Sequence, residues 1–269
     1  MSFRTEQVFP GVTHITDGMG VCMTLLAGSE RALLIDTGYG FEPVHRMAAS
    51  LTELPCDVVL TPGHHDHALG AMWFERVYLH PADIAVYRRY TGEEQRRRVL
   101  EQARERSIAV DEERFLTAAM PEPIEITAGD TDLGGMTARV IPCPGHTPGS
   151  LVFYVPERRL LLTGDDWNPT TWVFFPEALP VNAYLRNMRR LLTDCPFEHA
   201  LCSHSGALHS RAELEAFFGG LTPDRLRAAE PCPEGDARGI RTGRCVPAQG
   251  QQLVFDLDRY REEDTDDRF

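Results

Sequence analysis

The chain of 269 residues is 42% hydrophobic and 25% charged, a balance typical of one soluble globular unit and unlike that of a fibre, a disordered chain or a membrane protein. Its 40 acidic and 27 basic residues give a formal net charge of −13, which argues against a nucleic-acid partner because binding DNA or RNA requires a basic surface. All 27 basic residues are arginine, so Schiff-base enzymes, P-loop nucleotide hydrolases and serine–lysine nucleophiles are excluded.

The predicted elements begin with strands at residues 12–16, 21–27 and 32–35, followed by a helix at 43–51 and a buried strand at 57–60. Residues 81–119 then read as a charged helical segment, in which Glu93–Arg97 and Glu94–Arg98 have the i,i+4 spacing of exposed ion pairs. This segment could act as a lid, or it could simply present a solvated outer face. Strands resume at 124–126, 137–141, 150–155, 160–163 and 199–202, and helices are predicted at 181–192 and 211–218.

The C-terminal part of the chain shows weaker patterns. Residues 222–239 are rich in proline, glycine and charge, which predicts a loop or linker. Residues 252–256 are predicted to form an edge strand, and the acidic residues 261–269 a solvated end. We therefore predict one domain over residues 1–269, with a helical insertion at about 81–120 and a C-terminal loop and edge strand at about 220–260.

Cysteine usage and hydropathy bear on the compartment. Seven cysteines are scattered along the chain without a CxxC pair, and the first residues lack the basic, apolar and small-residue pattern of a signal peptide. No run approaches the ~18 apolar residues that a membrane span needs. The sequence therefore predicts a reduced cytoplasmic protein that binds neither nucleic acid nor a membrane, and it leaves open whether the protein is a homodimer.

Metal-binding side chains directly follow four predicted strands. They are His64, His65, Asp66 and His67 after the first, His146 after the second, Asp165 and Asp166 after the third, and His204 after the fourth. An isolated histidine in such a place is most often structural. Three histidines and an aspartate in four consecutive positions are hard to explain by packing, because burying them without partners is costly. Imidazole and carboxylate together suit Zn²⁺, Fe or Mn²⁺.

The first cluster resembles the HxHxDH signature of the metallo-β-lactamase superfamily. Four more segments resemble the same family in the same order: LLIDTG at 33–38, PGHTPGS at 144–150, LTGD at 162–165 and CSHSG at 202–206. The resemblance covers roughly residues 10–210. It implies an α/β protein with a four-layer αββα sandwich, in which two central sheets carry helices outside and metals sit in loops at the sheet edge.

The resemblance also implies a ligand for each position of a two-metal site. Site 2 would comprise Asp66, His67 and His204, and Asp165 would bridge the two metals. Site 1 would contain His64 and His146. By the same resemblance, Asp36 supports the metal loop by holding backbone or a ligand in orientation.

Pro62 stands where the family's third site-1 histidine is expected, and proline has no ligating side chain. Three alternatives follow. Site 1 could be weak or empty, His65 could swing in as a substitute ligand, or water could complete a two-histidine site. We favour a full site 2 and a partial site 1, and we consider rescue by the thiolate of Cys143 or Cys202 less favoured because such cysteines are usually buried and inert.

The chemistry implied by the resemblance is hydrolysis of a small-molecule ester, thioester or lactone. A bound metal lowers the pKa of its water from 15.7 to about 7, so a metal-bound hydroxide is expected to attack the carbonyl, with Asp66 orienting the water or accepting its proton. Zinc is expected, one or two per chain, with iron or manganese as alternatives. Two rival classes stay open: an iron-dependent redox enzyme on the same fold, and a degenerate, non-catalytic metal- or ligand-binding protein.

An aromatic loop at 167–176 follows Asp165. Its rings, Trp167, Trp172 and Phe174 among them, could form an apolar substrate wall beside the metal. They could equally cover the core beneath a loop.

Overall fold

Two β-sheets pack face to face at the centre of the fold. The computed structural model describes residues 3–260, so the predicted solvated end at 261–269 lies outside the described residues. The first sheet runs in chain order through seven strands: β1 (Arg4–Phe9), β2 (Val12–Thr16), β3 (Cys22–Ala27), β4 (Ala32–Ile35), β5 (Cys56–Val59), β6 (Tyr78–Leu79) and β7 (Ile124–Glu125). The second contains β8 (Gly129–Asp132), β9 (Thr137–Pro142), β10 (Leu151–Val155), β11 (Leu160–Leu162), β13 (His199–Cys202) and β14 (Ser205–Ser210), in the order β14-β13-β11-β10-β9-β8.

Apolar side chains from both sheets interlock to form the central core. The first sheet contributes Val12, Leu26, Leu33, Ile35 and Val59, and the second contributes Val140, Leu151, Phe153, Leu160, Leu162 and Leu201. Every residue of β10 is buried, because this strand is covered on both faces. A continuous apolar run is what a strand in such a position requires.

Helices cover the outer faces of both sheets. Helix α1 (Val44–Leu51) packs Val44, Met47 and Ala48 against the first sheet. Helices α6 (Val181–Asp194) and α7 (Arg211–Gly220) pack against the second. The layers are therefore helix, sheet, sheet, helix, which confirms the predicted αββα sandwich. In the part of the chain that the structure describes, no helix has the length and apolar character needed to cross a membrane.

The insertion at 81–120 is helical, as the sequence predicts. After a 3₁₀ turn at Pro81–Asp83 it contains α3 (Ile84–Tyr90), α4 (Glu93–Glu105) and α5 (Glu112–Thr117). The predicted i,i+4 ion pairs are present on the exposed face of α4. Its inner face packs Val99 and Leu100 with Phe115 against Leu69, which follows the short helix α2 (His65–Ala68). The insertion thus lies against the loop that carries the histidine cluster.

The C-terminal segment is more ordered than the sequence predicts. Residues 222–239 are not a loop or linker: they contain α8 (Pro223–Arg227), β15 (Glu230–Cys232) and a 3₁₀ turn at Pro233–Arg238. The predicted edge strand is also wrong. Strand β17 (Gln251–Asp256) lies between β12 (Thr170–Val173) and β16 (Thr242–Ala248) in a four-stranded sheet. Both edges of β17 are paired, because β16 pairs with one edge and β12, a distant segment, pairs in parallel with the other.

Candidate metal centre

The candidate ligands lie in loops that leave the strands at one edge of the sandwich. The cluster at 64–67 follows β5, His146 lies between β9 and β10, Asp165 follows β11, and His204 lies between β13 and β14. Strands β4 and β5 are parallel, as are β11 and β13. Loops after parallel neighbours emerge at the same edge. The topology therefore brings together side chains that are far apart in sequence.

Four of these side chains form the first group, which corresponds to the predicted site 2. One ligand atom from each of Asp66, His67, Asp165 and His204 lies within 4.8 Å of the others. Asp165 Oδ2 lies 3.1 Å from His67 Nε2, and Asp165 Oδ1 lies 3.1 Å from His204 Nε2. Asp66 Oδ2 lies 3.8 Å from His67 Nε2 and 3.5 Å from His204 Nε2.

The second group corresponds to the predicted site 1 and shares Asp165. His64, His146 and Asp165 each place a ligand atom within 4.8 Å of the others. The distance from His64 Nδ1 to His146 Nε2 is 2.8 Å, and that from His146 Nε2 to Asp165 Oδ2 is 3.3 Å. All three residues are buried. Asp165 is therefore placed as a residue between two metals would be.

Hydrogen bonds on the far side of each ring decide which nitrogen carries the lone pair. His146 Nδ1 lies 2.7 Å from the carbonyl oxygen of Trp172, and His64 Nε2 lies 2.7 Å from Glu177 Oε1. Both partners are acceptors, so these nitrogens donate, and the lone pairs of His146 Nε2 and His64 Nδ1 face each other beside the Asp165 carboxylate. Hydrogen-bond acceptors that converge in this way need a cation between them. Two imidazole nitrogens and a carboxylate are ligands that suit a metal ion.

Hydrogen bonds in the first group also determine which nitrogen of His67 faces the other ligands. His67 Nδ1 lies 2.9 Å from Asp36 Oδ2, so it donates, and His67 Nε2 is the nitrogen left to bind a metal. That atom is buried and forms no hydrogen bond in residues 3–260. Asp36 also accepts hydrogen bonds from the backbone and hydroxyl of Thr61, each at 2.7 Å. Asp36 thus lies where the resemblance implies, with one carboxylate holding the metal loop and His67 together.

The charges of the group are strongly coupled. Burial would lower the pKa of His67, but Asp165, Asp36 and Asp66 raise it well above its ordinary value. Burial would raise the pKa of Asp66, but His67, His65 and His204 lower it to about 2. The neighbouring carboxylates also raise the pKa of His204, so without metal the protons on His67 and His204 balance the carboxylates. A metal ion must displace those protons, so its affinity falls as the pH falls.

Asp83 is a supporting residue that the sequence analysis did not single out. Its carboxylate accepts hydrogen bonds from Gly63 N at 2.9 Å, Thr147 Oγ1 at 2.7 Å and Gly149 N at 2.7 Å. It therefore joins the loop of His64 to the loop of His146. A Cβ at Gly63 would lie 2.6 Å from Tyr87 N, so only glycine permits this approach.

His65 is not placed as a substitute ligand. It belongs to neither group in the described part of the chain. Its ring stacks on Tyr90 at 5.9 Å with an interplanar angle of 9°, and lies edge-on to Tyr39 at 5.5 Å. The backbone of α2 explains this orientation, because consecutive residues on a helix point in different directions.

The predicted substrate wall needs correction. Trp167 is fully buried and packs against His209 and Phe217 in the core, and Phe174 is also fully buried. Of the three predicted rings only Trp172 is exposed, to 40%. Among the rings of this loop, Phe175 reaches the metal groups, since its centroid lies 5.0 Å from that of His64 and 5.3 Å from that of His146.

Asn168 and Glu177 are polar residues of the site that sequence reasoning missed. Asn168 Nδ2 donates to Asp165 Oδ1 at 3.1 Å, and Asn168 Oδ1 accepts from His204 N at 2.9 Å. Glu177 is 6% exposed and contacts His64. Asn168 could have been noticed because it follows the LTGD segment closely. Glu177 lies outside every motif.

Pro62 itself is buried in the loop before His64. We expect Pro62→His to raise metal occupancy towards two per chain, because an imidazole there would complete a three-histidine site. Inductively coupled plasma mass spectrometry on protein purified without added metal measures this. Pro62→Ala is the control, since it removes the ring without adding a ligand. Equal occupancy in the two variants would show that position 62 is not the missing ligand position.

An αββα sandwich whose edge loops bring histidine and aspartate side chains into two adjoining groups defines a class of metal-dependent proteins. The chain belongs to the metallo-beta-lactamase superfamily, which matches residues 16–165, more than half of its length. The resemblance found in the sequence motifs is thereby confirmed.

A curated relative and two solved structures are similar to this chain. The human protein "Acyl-coenzyme A thioesterase MBLAC2" is 28% identical over 168 residues, which are 54% of this chain and 60% of that protein. Thus the match spans about 60% of this curated relative. The metallo-beta-lactamase family protein TTHA1429 from Thermus thermophilus has a TM-score of 0.58 at 20% identity, over 95% of this chain and 98% of that chain. TTHA1623, solved "in a di-iron-bound form", has a TM-score of 0.55 at 28% identity, over 76% and 96%.

Proposed function

We propose that this chain is a metal-dependent hydrolase of thioesters, and that acyl-coenzyme A is the class of substrate to test first. The observation that carries the proposal is the convergence of imidazole nitrogens and carboxylate oxygens on two adjoining points that share Asp165. The name of the human relative supports the choice of thioester. Oxygen esters and lactones are the alternative substrates, since their carbonyls respond to the same chemistry.

The residues of this chain would divide the work as follows. His64, His146 and Asp165 would hold one metal, and Asp66, His67, Asp165 and His204 the other. Metal ions in such sites supply Lewis acidity and an activated water when they are bound. Asp66 is ionised, because its pKa is about 2, so its carboxylate can orient the attacking water and accept a hydrogen bond from it. We propose zinc as the ion.

The surroundings of the site suit a substrate with both apolar and anionic parts. Phe175 lies against the two site-1 histidines, and Trp172 lies beside it at 6.2 Å. The guanidinium of Arg238 lies 4.9 Å from the centre of the Phe175 ring, which places a positive charge beside that ring. An acyl chain would find apolar contacts here, and a phosphate group of coenzyme A would find a cation.

Hydrolysis assays with zinc-loaded protein test the proposal. Acyl-coenzyme A substrates of different chain length are compared with an acyl thioester that lacks the nucleotide, and with oxygen esters and lactones, by following thiol or acid release. We expect turnover of acyl-coenzyme A, at higher kcat/KM than of the truncated thioester. No turnover of any carbonyl substrate, despite bound metal, would contradict the proposal and favour a non-catalytic metal-binding protein.

Iron-dependent redox chemistry is the second candidate function. It is favoured by one specific observation, the di-iron form of a solved structure that is 28% identical to this chain. Iron in protein purified without added metal, together with oxygen consumption, would favour it over hydrolysis. A cytoplasmic location, a small-molecule substrate and a homodimer stay predictions.

A further inference from the structure

Glu177 is a buried carboxylate that the ligand assignment does not use. It lies in the loop between β12 and α6, 113 residues from His64 along the chain, yet its Oε1 accepts a hydrogen bond from His64 Nε2 at 2.7 Å. Its Oε2 accepts one from Arg89 at 2.6 Å. Tyr90 also donates to it. The side chain of Glu177 is only 6% exposed, and both of its carboxylate oxygens accept hydrogen bonds.

The contact with His64 has a directional consequence. An ionised carboxylate only accepts hydrogen bonds, so His64 must carry its proton on Nε2 and its lone pair on Nδ1. Nδ1 is the atom that lies 2.8 Å from His146 Nε2. Rotating the ring to present the other nitrogen would leave Glu177 buried without this partner, which is costly. Glu177 therefore selects both the tautomer and the orientation of His64.

This fixed orientation matters more here than in a site with three histidines. Pro62 leaves His64 and His146 as the imidazoles of site 1 in the described part of the chain. Each remaining ligand then contributes a larger share of the free energy of metal binding. The conformational entropy that its side chain loses on binding therefore has a larger effect on the affinity. An imidazole ring that is already held in place by a hydrogen bond loses little conformational entropy when a metal binds.

The partners of Glu177 come from the helical insertion. Arg89 and Tyr90 end helix α3, and the Tyr90 ring lies 4.5 Å from His64. The insertion is thus joined to the metal centre by an ion pair and an aromatic contact. This contrasts with the neighbouring Arg88, which pairs with the exposed Glu122 away from the site.

We infer that Glu177 is the positioning residue of site 1, holding His64 Nδ1 towards the metal while Arg89 of the insertion holds Glu177. The inference rests on the proposed metal function, but not on the identity of the substrate. Partners of this kind typically change metal affinity by about 10–100-fold when they are removed. Glu177 belongs to neither ligand group of the described residues, so it would act through His64.

Cobalt titration of metal-free, full-length protein tests the inference without reference to activity. We expect Glu177→Gln to weaken the cobalt affinity of site 1 by about 10–100-fold, and to leave the affinity of site 2 unchanged, as followed by visible absorption against a competing chelator. Arg89→Ala should weaken the same site by less. Glu122→Gln and Arg88→Ala are the matched controls, which should change neither affinity.

A spectroscopic signature separates positioning from a general structural role. In ¹⁵N-edited imidazole spectra of the zinc-loaded protein, the Nε2-bound proton of His64, identified by its loss in His64→Ala, should be present in the wild type and altered in Glu177→Gln. If Glu177→Gln does not fold, the same measurements are made on Arg89→Ala, which retains the Glu177 carboxylate. Unchanged affinities, equal weakening of both sites, or a single cobalt in the wild type would overturn the inference. None of these results depends on whether thioesters are hydrolysed.

Discussion

Replacing Asp165 by alanine should release both metals and abolish hydrolysis. Asp165 belongs to both ligand groups found in residues 3–260. It lies within 3.3 Å of nitrogen atoms from His67, His146 and His204. Its ionised state follows from those contacts: burial would raise its pKa, but the charges on His204, His67 and His146 lower it well below the ordinary value. Removing this carboxylate leaves each metal position short of an anionic ligand and leaves the histidines to repel one another.

The expected loss of activity is large. Metal ions contribute several kcal/mol of transition-state stabilisation, which corresponds to a decrease in kcat/KM on the order of 10³-fold or more. Metal content by mass spectrometry and thioester hydrolysis are measured on the same preparation. The control is His209→Ala. His209 is another largely buried histidine, but it bonds Glu213 and Ser205 rather than the metal groups. Wild-type metal content in Asp165→Ala would contradict the assignment of both sites.

The grouping of the ligands could be predicted because each lies directly after a strand. His64, His146, Asp165 and His204 occupy loops whose positions follow from the order of strands and the motif spacing. The contiguous cluster also limits where its ligands can lie, since residues 64–67 cannot be far apart. The motifs, through their resemblance to the metallo-β-lactamase superfamily, were therefore sufficient to predict the metal groups and the sandwich.

Contacts between distant segments could not be predicted in this way. Glu177 meets His64 across 113 residues, and a lone glutamate in an aromatic loop carries no motif. The same loop shows why the substrate wall was mispredicted: sequence places Trp167 and Phe175 near Asp165, but only packing decides which ring faces the core. Trp167 fills the space beside Phe217, whereas Phe175 turns towards His146.

The third sheet was missed for a related reason. Strand β12 pairs with β17 although Thr170 and Gln252 are 82 residues apart. Strand periodicity shows that a segment is extended, but it does not show which neighbour it pairs with. The sheet brings the C-terminal segment to the site, because the 3₁₀ turn between β15 and β16 places Arg238 beside the Phe175 ring.

Asp66→Asn should lower kcat even when zinc is saturating. Its carboxylate oxygen lies 3.5 Å from His204 Nε2 and 3.8 Å from His67 Nε2, at the edge of the group rather than between the two metals. Asp66 is 15% exposed on its side chain, whereas His67 is fully buried. The more open position lets Asp66 meet a water molecule that enters from solvent. Loss of its charge should therefore weaken site 2 and remove the group that orients the water, while site 1, which does not include Asp66, keeps its metal.

We expect kcat of Asp66→Asn to fall by about 10²–10⁴-fold under saturating zinc, the range typical of a positioned group that orients the attacking water or accepts its proton. Bound zinc is determined on the same samples, so that a loss of metal is not mistaken for a loss of catalysis. Asp57→Asn is the control, because Asp57 pairs with Arg31 and Arg76 at the start of β5, away from the ligand groups. A kcat close to that of the wild type, with zinc bound, would mean that the water is oriented by another group. The role of Asp66 would then be that of a ligand alone, and hydrolysis would depend on Asp165 and the metals without a separate proton acceptor from this loop.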